Sequence, residues 1–395
     1  MELPAGFRVS GFHCGLKQNP DVPDISLFVS DTPAVAAGVY TKNVVVAAPV
    51  TLDRQRTPAE NMRAIIANSG NANACTGRRG MNDAEEMTHL TAAACGVDPG
   101  EVLVLSTGII GEFLPMEKVS RGIKEAAQSL DRNPNNYVDA ARGLMTTDTV
   151  HKIGTRLVEI DKRNVRIVGM AKGAGMIGPK MATLLAVVVT DAPLAPSDAQ
   201  EIIGDVCDST FNCVSVDGHT STNDSMLMLA NGASGGELLV GEELDVFREN
   251  LRELCTELAR DIAGDGEGAS HRITVLVRGC ASQSDARKIA GTIANSPLVK
   301  TAVAGADPNW GRMLSAAGYA GVEFAAESVN LYMNGTLLYK QGAPVAFSDE
   351  EVSRMLGQSF DTEIRLELSE GDAEARFWTS DLTAEYVRIN ADYHT

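Results

Sequence analysis

The sequence predicts a mixed α/β protein of the α+β type, in which layers of sheet and helix share a buried core. Three observations predict this fold class. Short runs rich in Val and Ile alternate with longer segments of helical periodicity. Residues 184–189 are apolar throughout, as in a strand that is buried on both faces. Residues 242–263 carry apolar side chains every three or four positions, which is typical of a helix that packs on a sheet.

The first third of the chain is predicted to be mostly sheet, because its apolar runs are short and are broken by Gly, Pro and Asn. Strands are expected at residues 24–29, 38–40, 50–52 and 64–67. Helical spacing then predicts helices at 82–94 and 115–130, with a compact apolar strand at 101–105 between them. That strand runs into Ser106-Thr107-Gly108, a loop that could present backbone N–H groups.

The middle of the chain is predicted to form a hairpin followed by a buried strand. Residues 152–160 and 165–170 are strand-like, and the polar turn at 161–164 joins them. A glycine-rich loop follows at 172–180, and then the apolar strand at 181–190. In the last half, Ser197 and Gln200 have the spacing of a capping box that opens a helix towards Cys207. Further elements are expected as helices at 242–263, 284–294 and 348–356 and as strands at 273–277 and 363–368.

Composition excludes several classes of protein. Lys and Arg number 34 against 52 for Asp and Glu, and a formal charge of -18 repels nucleic acid and anionic membrane surfaces. The aliphatic runs are too short to span a bilayer and the N-terminus does not read as a leader, so a cytoplasmic protein is expected. Seven scattered cysteines and six histidines show no metal-ligand spacing, so no metal site is expected.

A glycine pattern in the middle of the chain suggests a nucleotide loop and fails the test of context. Residues 173–178 match G-x-G-x-x-G after a strand. The third glycine of a dinucleotide loop opens a helix, but here Pro179 and a β-branched strand follow. A phosphate loop would need lysine where Pro179 stands.

The same segment offers a different chemistry at Ala182-Thr183. If the Thr183 hydroxyl attacks the preceding carbonyl, the chain rearranges to an ester and hydrolyses, which leaves Thr183 with a free α-amine. That amine has an ordinary pKa of about 7.7–8.0 and lies within reach of its own hydroxyl, so one residue supplies nucleophile and base. Spacing alone also fits an ordinary threonine at the start of a strand.

Seven motifs in order resemble the ornithine acetyltransferase (glutamate N-acetyltransferase) family. They are residues 68–77, 106–108, 145–149, 172–183, 264–269, 295–301 with 307–312, and 386–393. The resemblance covers nearly the whole chain. It departs from the family at Lys180, commonly Asn, at Ala174, often Ser, and at His151, where proline is usual.

The resemblance implies self-cleavage between Ala182 and Thr183. An α chain of residues 1–182 and a β chain of residues 183–395 would form one intertwined unit, assembled as an α2β2 heterotetramer. It also implies the layered ornithine acetyltransferase-like or DmpA-like fold of the N-terminal-nucleophile type.

Site residues follow from the same resemblance, position by position. Thr183 matches the nucleophile, and Thr107 with Gly108 matches the oxyanion-hole pair. The positions that match substrate-binding residues are Thr146, Lys172, Thr183, Glu267, Asn390 and Thr395. Lys172 could hold a substrate carboxylate or favour the reactive state of the amine by its charge, and Glu267 could receive a cationic amino group.

The implied reaction is a ping-pong transfer in which Thr183 takes acetyl from N2-acetyl-L-ornithine and passes it to L-glutamate. No metal or organic cofactor is expected, although some family members also accept acetyl-CoA as the donor. Two alternatives stay open: an N-terminal-nucleophile aminopeptidase or amidase of the same fold, and a binding protein that never cleaves. The polar cluster at residues 217–224 also suggests a serine hydrolase, but without a nucleophile elbow it is better interpreted as a loop that lines the pocket or orders the structure.

Overall fold

The computed structural model describes residues 2–178 and 184–392. These residues form helices as well as two sheets, which confirms the predicted mixed α/β class. The helices are α1 Ala48–Arg56, α2 Gly77–Cys95, α3 Met116–Gln128, α4 Pro134–Leu144, α5 Pro196–Ser209, α6 Glu242–Gly264, α7 Gln283–Ala294, α8 Pro297–Ala304, α9 Trp310–Gly318, α10 Asp349–Gln358 and α11 Ala384–Asp392. The strands are β1 Phe7–Phe12, β2 Ile25–Tyr40, β3 Ala59–Asn71, β4 Val102–Ile109, β5 Lys152–Ile160, β6 Arg163–Lys172, β7 Leu185–Thr190, β8 Val214–Ser215, β9 Ser225–Ala230, β10 Arg272–Cys280, β11 Asn330–Met333, β12 Thr336–Lys340, β13 Ala343–Pro344, β14 Asp361–Glu367 and β15 Ala373–Ser380.

The first sheet has eight strands in the order β4-β3-β2-β9-β7-β6-β5, with β1 antiparallel to the first half of β2. The pairs β3/β4 and β7/β9 are parallel, and the other pairs are antiparallel. Strand β7 therefore lies inside the sheet, between β9 and β6. Strand β9 in turn pairs with the second half of β2.

Strand β7 is buried on both faces, as its apolar composition predicts. Leu185, Val187 and Val189 pack with α4 on one face. Ala186 and Val188 pack in the core that contains α5 and α6 on the other. Helices α2 and α3 cover the edge of the sheet at β3 and β4.

The second sheet has seven strands in the order β13-β12-β11-β14-β10-β15-β8. Helix α7 packs on β10 and β15. Helix α6 contacts strands of both sheets, because its apolar side chains, among them Phe247, Leu251 and Leu258, belong to the shared core. The two sheets are therefore joined by one apolar layer, which places the segments that follow α6 beside the first sheet.

Most of the predicted elements are confirmed, and the hairpin β5/β6 has the expected polar turn. The two strands predicted at 24–29 and 38–40 are parts of one long strand, β2. The elements without a predicted counterpart are α4, α8, α9, α11, β1, β9 and the strands of the second sheet other than β10 and β14. The described helices include none that is long and apolar enough to cross a membrane.

The strand predicted at 50–52 is wrong, because these residues lie in helix α1. Pro49 occupies the first turn of that helix, where its fixed φ and missing N–H are tolerated. Val50 and Leu52 are buried, and the next residue, Asp53, accepts the N–H of Val104 at 3.0 Å from a fully buried position. A three-residue apolar run cannot distinguish a strand from one buried helix turn.

The capping box predicted at Ser197 and Gln200 is also wrong. Helix α5 begins one residue earlier, with Pro196 in its first turn, and no side chain caps it. Gln200 instead donates from Nε2 to the Gly38 carbonyl at 2.9 Å and accepts the Gly38 N–H at 3.1 Å. The side chain thus serves a long-range contact with β2, which local spacing could not reveal.

Candidate active site

Five of the predicted site residues line one cleft. They are Thr107, Gly108, Thr146, Glu267 and Asn390. They come from the end of β4, the turn after α4, the turn after α6, and α11. The cavity between them has a volume of about 70 Å³.

Of the other four predicted positions, only Lys172 lies within the described residues. Lys172 is the last residue of β6 and is buried behind the cleft lining. Ala182, Thr183 and Thr395 lie outside the described residues, so their assigned roles stay predictions. Ser221, Thr222 and Asn223 also line the cleft, which confirms the interpretation of the polar cluster as a pocket-lining loop.

Residues 106–108, predicted as a loop, instead belong to strand β4 and pair with the end of β3. We call them the oxyanion loop after their predicted role. The parallel register of β3 and β4 shifts there, so that Asn71 faces both Thr107 and Ile109. Gly108 has a φ of +133°, and a Cβ atom at this position would lie 2.3 Å from the carbonyl carbon of Gly70. Only glycine allows this approach and this backbone conformation.

The glycine-rich loop contacts the carboxylate of Glu267, which lies in the turn after α6. Glu267 donates its N–H to the Ala174 carbonyl at 2.8 Å, and its side chain lies against Gly175. A Cβ atom at Gly175 would lie 2.4 Å from the Glu267 carboxylate, so a larger residue there would make this carboxylate move. Asn390 donates from Nδ2 to Glu267 Oε2 at 2.8 Å and holds the carboxylate at the cleft. The loop therefore accommodates an acidic side chain, which a phosphate would avoid.

A Gly175→Ala substitution is expected to raise the KM for the amine-bearing substrate about tenfold, with a smaller effect on kcat. The added methyl displaces the Glu267 carboxylate from Asn390, and one hydrogen bond to a charged group is worth about 1.5–3 kcal/mol. Steady-state kinetics test this expectation. Gly204→Ala is the matched control, because no atom lies within 4 Å of a Cβ atom at Gly204. An unchanged KM in the folded Gly175→Ala variant would contradict the assigned contact.

Behind the cleft lies a buried charge network. Asp148 accepts from Lys152 Nζ at 2.8 Å, from the Gly173 N–H at 2.6 Å and from the Thr146 N–H at 3.1 Å. Lys172 Nζ lies 4.0 Å from Asp148 Oδ2, and Lys152 Nζ also lies 2.6 Å from Asp265 Oδ2. Asp148 thus connects a cleft residue, Thr146, with the glycine-rich loop.

Burial sets the protonation of this network together with its charges. Burial alone would raise the pKa of Asp148, but the ammonium groups of Lys172 and Lys152 outweigh it and lower that pKa to about 2. Burial lowers the pKa of Lys172, and Asp148 opposes that change. In the sequence, Asp148 belongs to the family motif at 145–149 but has no predicted role, and Lys152 is not predicted as a site residue. The spacing of four residues between them was the available signal.

An Asp148→Asn substitution is expected to lower the free energy of unfolding by about 3–5 kcal/mol, because it removes the paired carboxylate of buried Lys172 and one of the two carboxylates that pair with buried Lys152. The stabilisation by Asp148 is fully present above its unfolded pKa of about 3.9 and is lost as the pH falls through about 2. The gap in Tm between wild type and variant should therefore narrow below about pH 4. Asp361→Asn, which breaks an exposed ion pair with Arg272, is the control and should cost less than about 1 kcal/mol.

The chain is similar to known proteins in sequence and in structure. A model of the ArgJ family matches residues 8–395. The arginine biosynthesis bifunctional protein ArgJ of Rhodopirellula baltica is 44% identical over 396 residues, which cover 100% of this chain and 96% of that protein. The protein of the same name from Bacillus subtilis is 41% identical over 395 residues, 99% of this chain and 96% of its own. The crystal structure of ArgJ from Bacillus halodurans has a TM-score of 0.51 and 39% identity, and it covers 52% of this chain and 98% of the crystallised one.

Proposed function

Because the chain belongs to the ArgJ family, we propose that it is the acetyltransferase of arginine biosynthesis that moves acetyl from N2-acetyl-L-ornithine to L-glutamate. The products are L-ornithine and N-acetyl-L-glutamate. The observation that carries the proposal is the cleft itself. It brings the oxyanion loop together with Glu267 and Asn390.

Maturation by self-cleavage is the first step of the proposal. The Thr183 hydroxyl attacks the Ala182 carbonyl, the peptide bond becomes an ester, and water hydrolyses the ester to a carboxylate at Ala182 and a free α-amine at Thr183. The Bacillus halodurans relative supports this step, because 98% of its crystallised chain matches only 52% of this one. That polypeptide is thus about half as long as this chain.

Acetyl transfer then proceeds in two halves. The α-amine of Thr183 takes the hydroxyl proton as Oγ attacks the acetyl carbonyl, and the oxyanion loop stabilises the charge that develops on the carbonyl oxygen. Ornithine leaves with a proton and an acetyl ester remains on Thr183. The amine of glutamate attacks that ester and restores the hydroxyl. These steps use no metal or organic cofactor, and acetyl-CoA enters only as a second donor.

Two side chains recognise charge in this scheme. Glu267, held by Asn390, receives the cationic amino group of the substrate. Lys172 is buried beside Asp148 and does not line the cleft, which supports a role through its charge. We propose that this charge favours the free base of the Thr183 amine at neutral pH.

The processed molecule is proposed to be an α chain of residues 1–182 and a β chain of residues 183–395, assembled as α2β2 in the cytoplasm. The sheet supports the intertwined arrangement, because β7 and β9 lie between β2 and β6. Strands from both sides of Thr183 would share one sheet.

An acceptor assay tests the function. Purified protein with N2-acetyl-L-ornithine should form N-acetyl-L-glutamate when L-glutamate is present and should release little free acetate when it is absent. Acetyl-CoA in place of acetylornithine measures the second donor. Rapid hydrolysis without glutamate would favour the amidase alternative, and an unbroken chain without transfer in either assay would favour the binding protein.

A further inference from the structure

One polar segment contacts the chain on both sides of the proposed cleavage point. This clamp segment comprises residues 215–225, from the end of β8 to the start of β9. On the upstream side, the carbonyl of Ile177 accepts three backbone N–H groups of the segment. Val216 donates at 2.8 Å, Gly218 at 3.0 Å and Asp217 at 3.1 Å. The carboxylate of Asp217 also accepts the N–H of Met176 at 2.7 Å.

A buried lysine supports this part of the clamp segment. Lys300 is 4% exposed and donates from Nζ to the Val216 carbonyl at 2.6 Å and to Thr379 Oγ1 at 2.9 Å. The ammonium ties the segment to β15 in the second sheet. The turn that binds Ile177 is therefore anchored to the core, since it cannot move without breaking buried polar contacts.

The downstream contact is made by Asp224. Its carboxylate is fully buried and accepts the N–H of Leu184 at 2.9 Å. The next residue, Ser225, donates its own N–H to the Leu184 carbonyl at 2.9 Å. Both polar groups of Leu184, the residue that directly follows Thr183, are thus held by the clamp segment.

The neighbouring residue holds the oxyanion loop. Asn223 is 5% exposed and donates both amide hydrogens, to the Ala72 carbonyl at 2.6 Å and to the Ser106 carbonyl at 2.8 Å. Ser106 directly precedes Thr107, one of the two predicted oxyanion donors. A carboxamide has two N–H donors, so this contact uses its full donor capacity on two strand ends.

We propose that Asn223 and Asp224 are positioning residues that together fix the distance between the nucleophile and the oxyanion loop. The inference rests on the proposed function. One peptide unit separates the two residues, so the nucleophile's strand and the oxyanion loop are referenced to the same rigid point. In the cleaved molecule both residues would belong to the β chain, whereas Ala72 and Ser106 would belong to the α chain. Asn223 therefore joins the two halves of the active site.

An Asn223→Asp substitution tests the first half. A carboxylate cannot donate to the two carbonyl oxygens and is repelled by them, so the oxyanion loop should shift. A misplacement of about 1 Å can cost about 10²-fold in rate. We expect kcat per cleaved subunit to fall about 100-fold, while KM stays within about threefold of wild type.

An Asp224→Ala substitution tests the second half. The Leu184 N–H loses its acceptor, so of the two clamp contacts to Leu184 only the one from the Ser225 N–H to its carbonyl remains. We expect self-cleavage, followed by intact mass after expression, to slow at least about tenfold, because it depends on the same attack geometry. The kcat of the fraction that does cleave should also fall.

Two control variants make the same kinds of contact elsewhere. Asn136 also donates both amide hydrogens to carbonyls, those of Val9 at 3.1 Å and Ser129 at 2.6 Å. Asp191 also accepts backbone N–H groups, those of Ala5 at 2.9 Å and Arg166 at 2.7 Å, just after the far end of β7. Asn136→Asp and Asp191→Ala should lower Tm but leave self-cleavage and kcat within about twofold.

Each outcome bears on a different part of the proposal. A folded Asn223→Asp variant with kcat within threefold of wild type, or a loss that Asn136→Asp reproduces, overturns the inference for Asn223. If Asn223→Asp does not fold, Asn223→Ala removes the donors without adding charge and is judged by the same measure. Normal cleavage of Asp224→Ala overturns the inference for Asp224. Failure of the wild type to transfer acetyl would reject the proposed function instead.

Discussion

A Thr183→Ala chain is expected to remain a single polypeptide of 41.8 kDa and to transfer no acetyl. Without the hydroxyl there is no attack on the Ala182 carbonyl, so no ester forms and the amide nitrogen never becomes a basic amine. Loss of a nucleophile that acts together with its base lowers the rate by a factor on the order of 10⁴ or more. Intact mass and the acceptor assay measure the two effects.

Two further variants make this result specific. Thr190→Ala removes a buried hydroxyl from β7, one that donates to the Arg166 carbonyl, and it should cleave normally. Thr183→Ser keeps a hydroxyl and should still cleave, at a changed rate. If Thr183→Ala were cleaved between residues 182 and 183, or were active, Thr183 would not be the nucleophile.

A Gly108→Ala substitution is expected to lower kcat by about 10²–10³, which is the usual cost of losing one oxyanion-hole donor. The added Cβ would lie 2.3 Å from the Gly70 carbonyl carbon and 2.5 Å from the Asn71 nitrogen, and both are backbone atoms with little freedom to move. The φ of +133° adds strain for any side chain. The oxyanion loop must therefore shift, with little change in KM.

Steady-state kinetics of Gly100→Ala provide the comparison for this variant. Gly100 lies just before β4, has no atom within 4 Å of a Cβ position, and should tolerate alanine with near wild-type kcat. A Gly108→Ala enzyme with nearly normal kcat would mean that the acetyl oxygen is stabilised elsewhere.

Elements with a clear local pattern were predictable from the sequence. The uninterrupted apolar run of β7 and the turn between β5 and β6 are properties of neighbouring residues, and both are present in the structure. The run at 50–52 was too short to carry a period, and the contact that fixes it, between Asp53 and Val104, spans 51 positions. Sequence spacing contains no trace of that contact.

The cleft shows the same division. Thr107, Glu267 and Asn390 are far apart along the chain, and no spacing argument could bring them together, so only the family resemblance selected them. The sequence identifies Asn223 only as a member of a polar cluster. Its partners are the backbone carbonyls of Ala72 and Ser106, and every residue has such a carbonyl, so the sequence does not reveal the pairing. A role that depends on binding particular backbone groups has to be found in three dimensions.

Strands β7 and β9 lie between β2 and β6. This arrangement would determine whether the cleaved protein could refold after denaturation. While folded, two severed polypeptides would stay interleaved by their strand ladders. After denaturation they would diffuse apart, and recovery would become second order in protein concentration. The continuous precursor closes the same ladders within one molecule. The native heterodimer would thus be assembled once, before the cut, and its lifetime would be governed by the rate of unfolding.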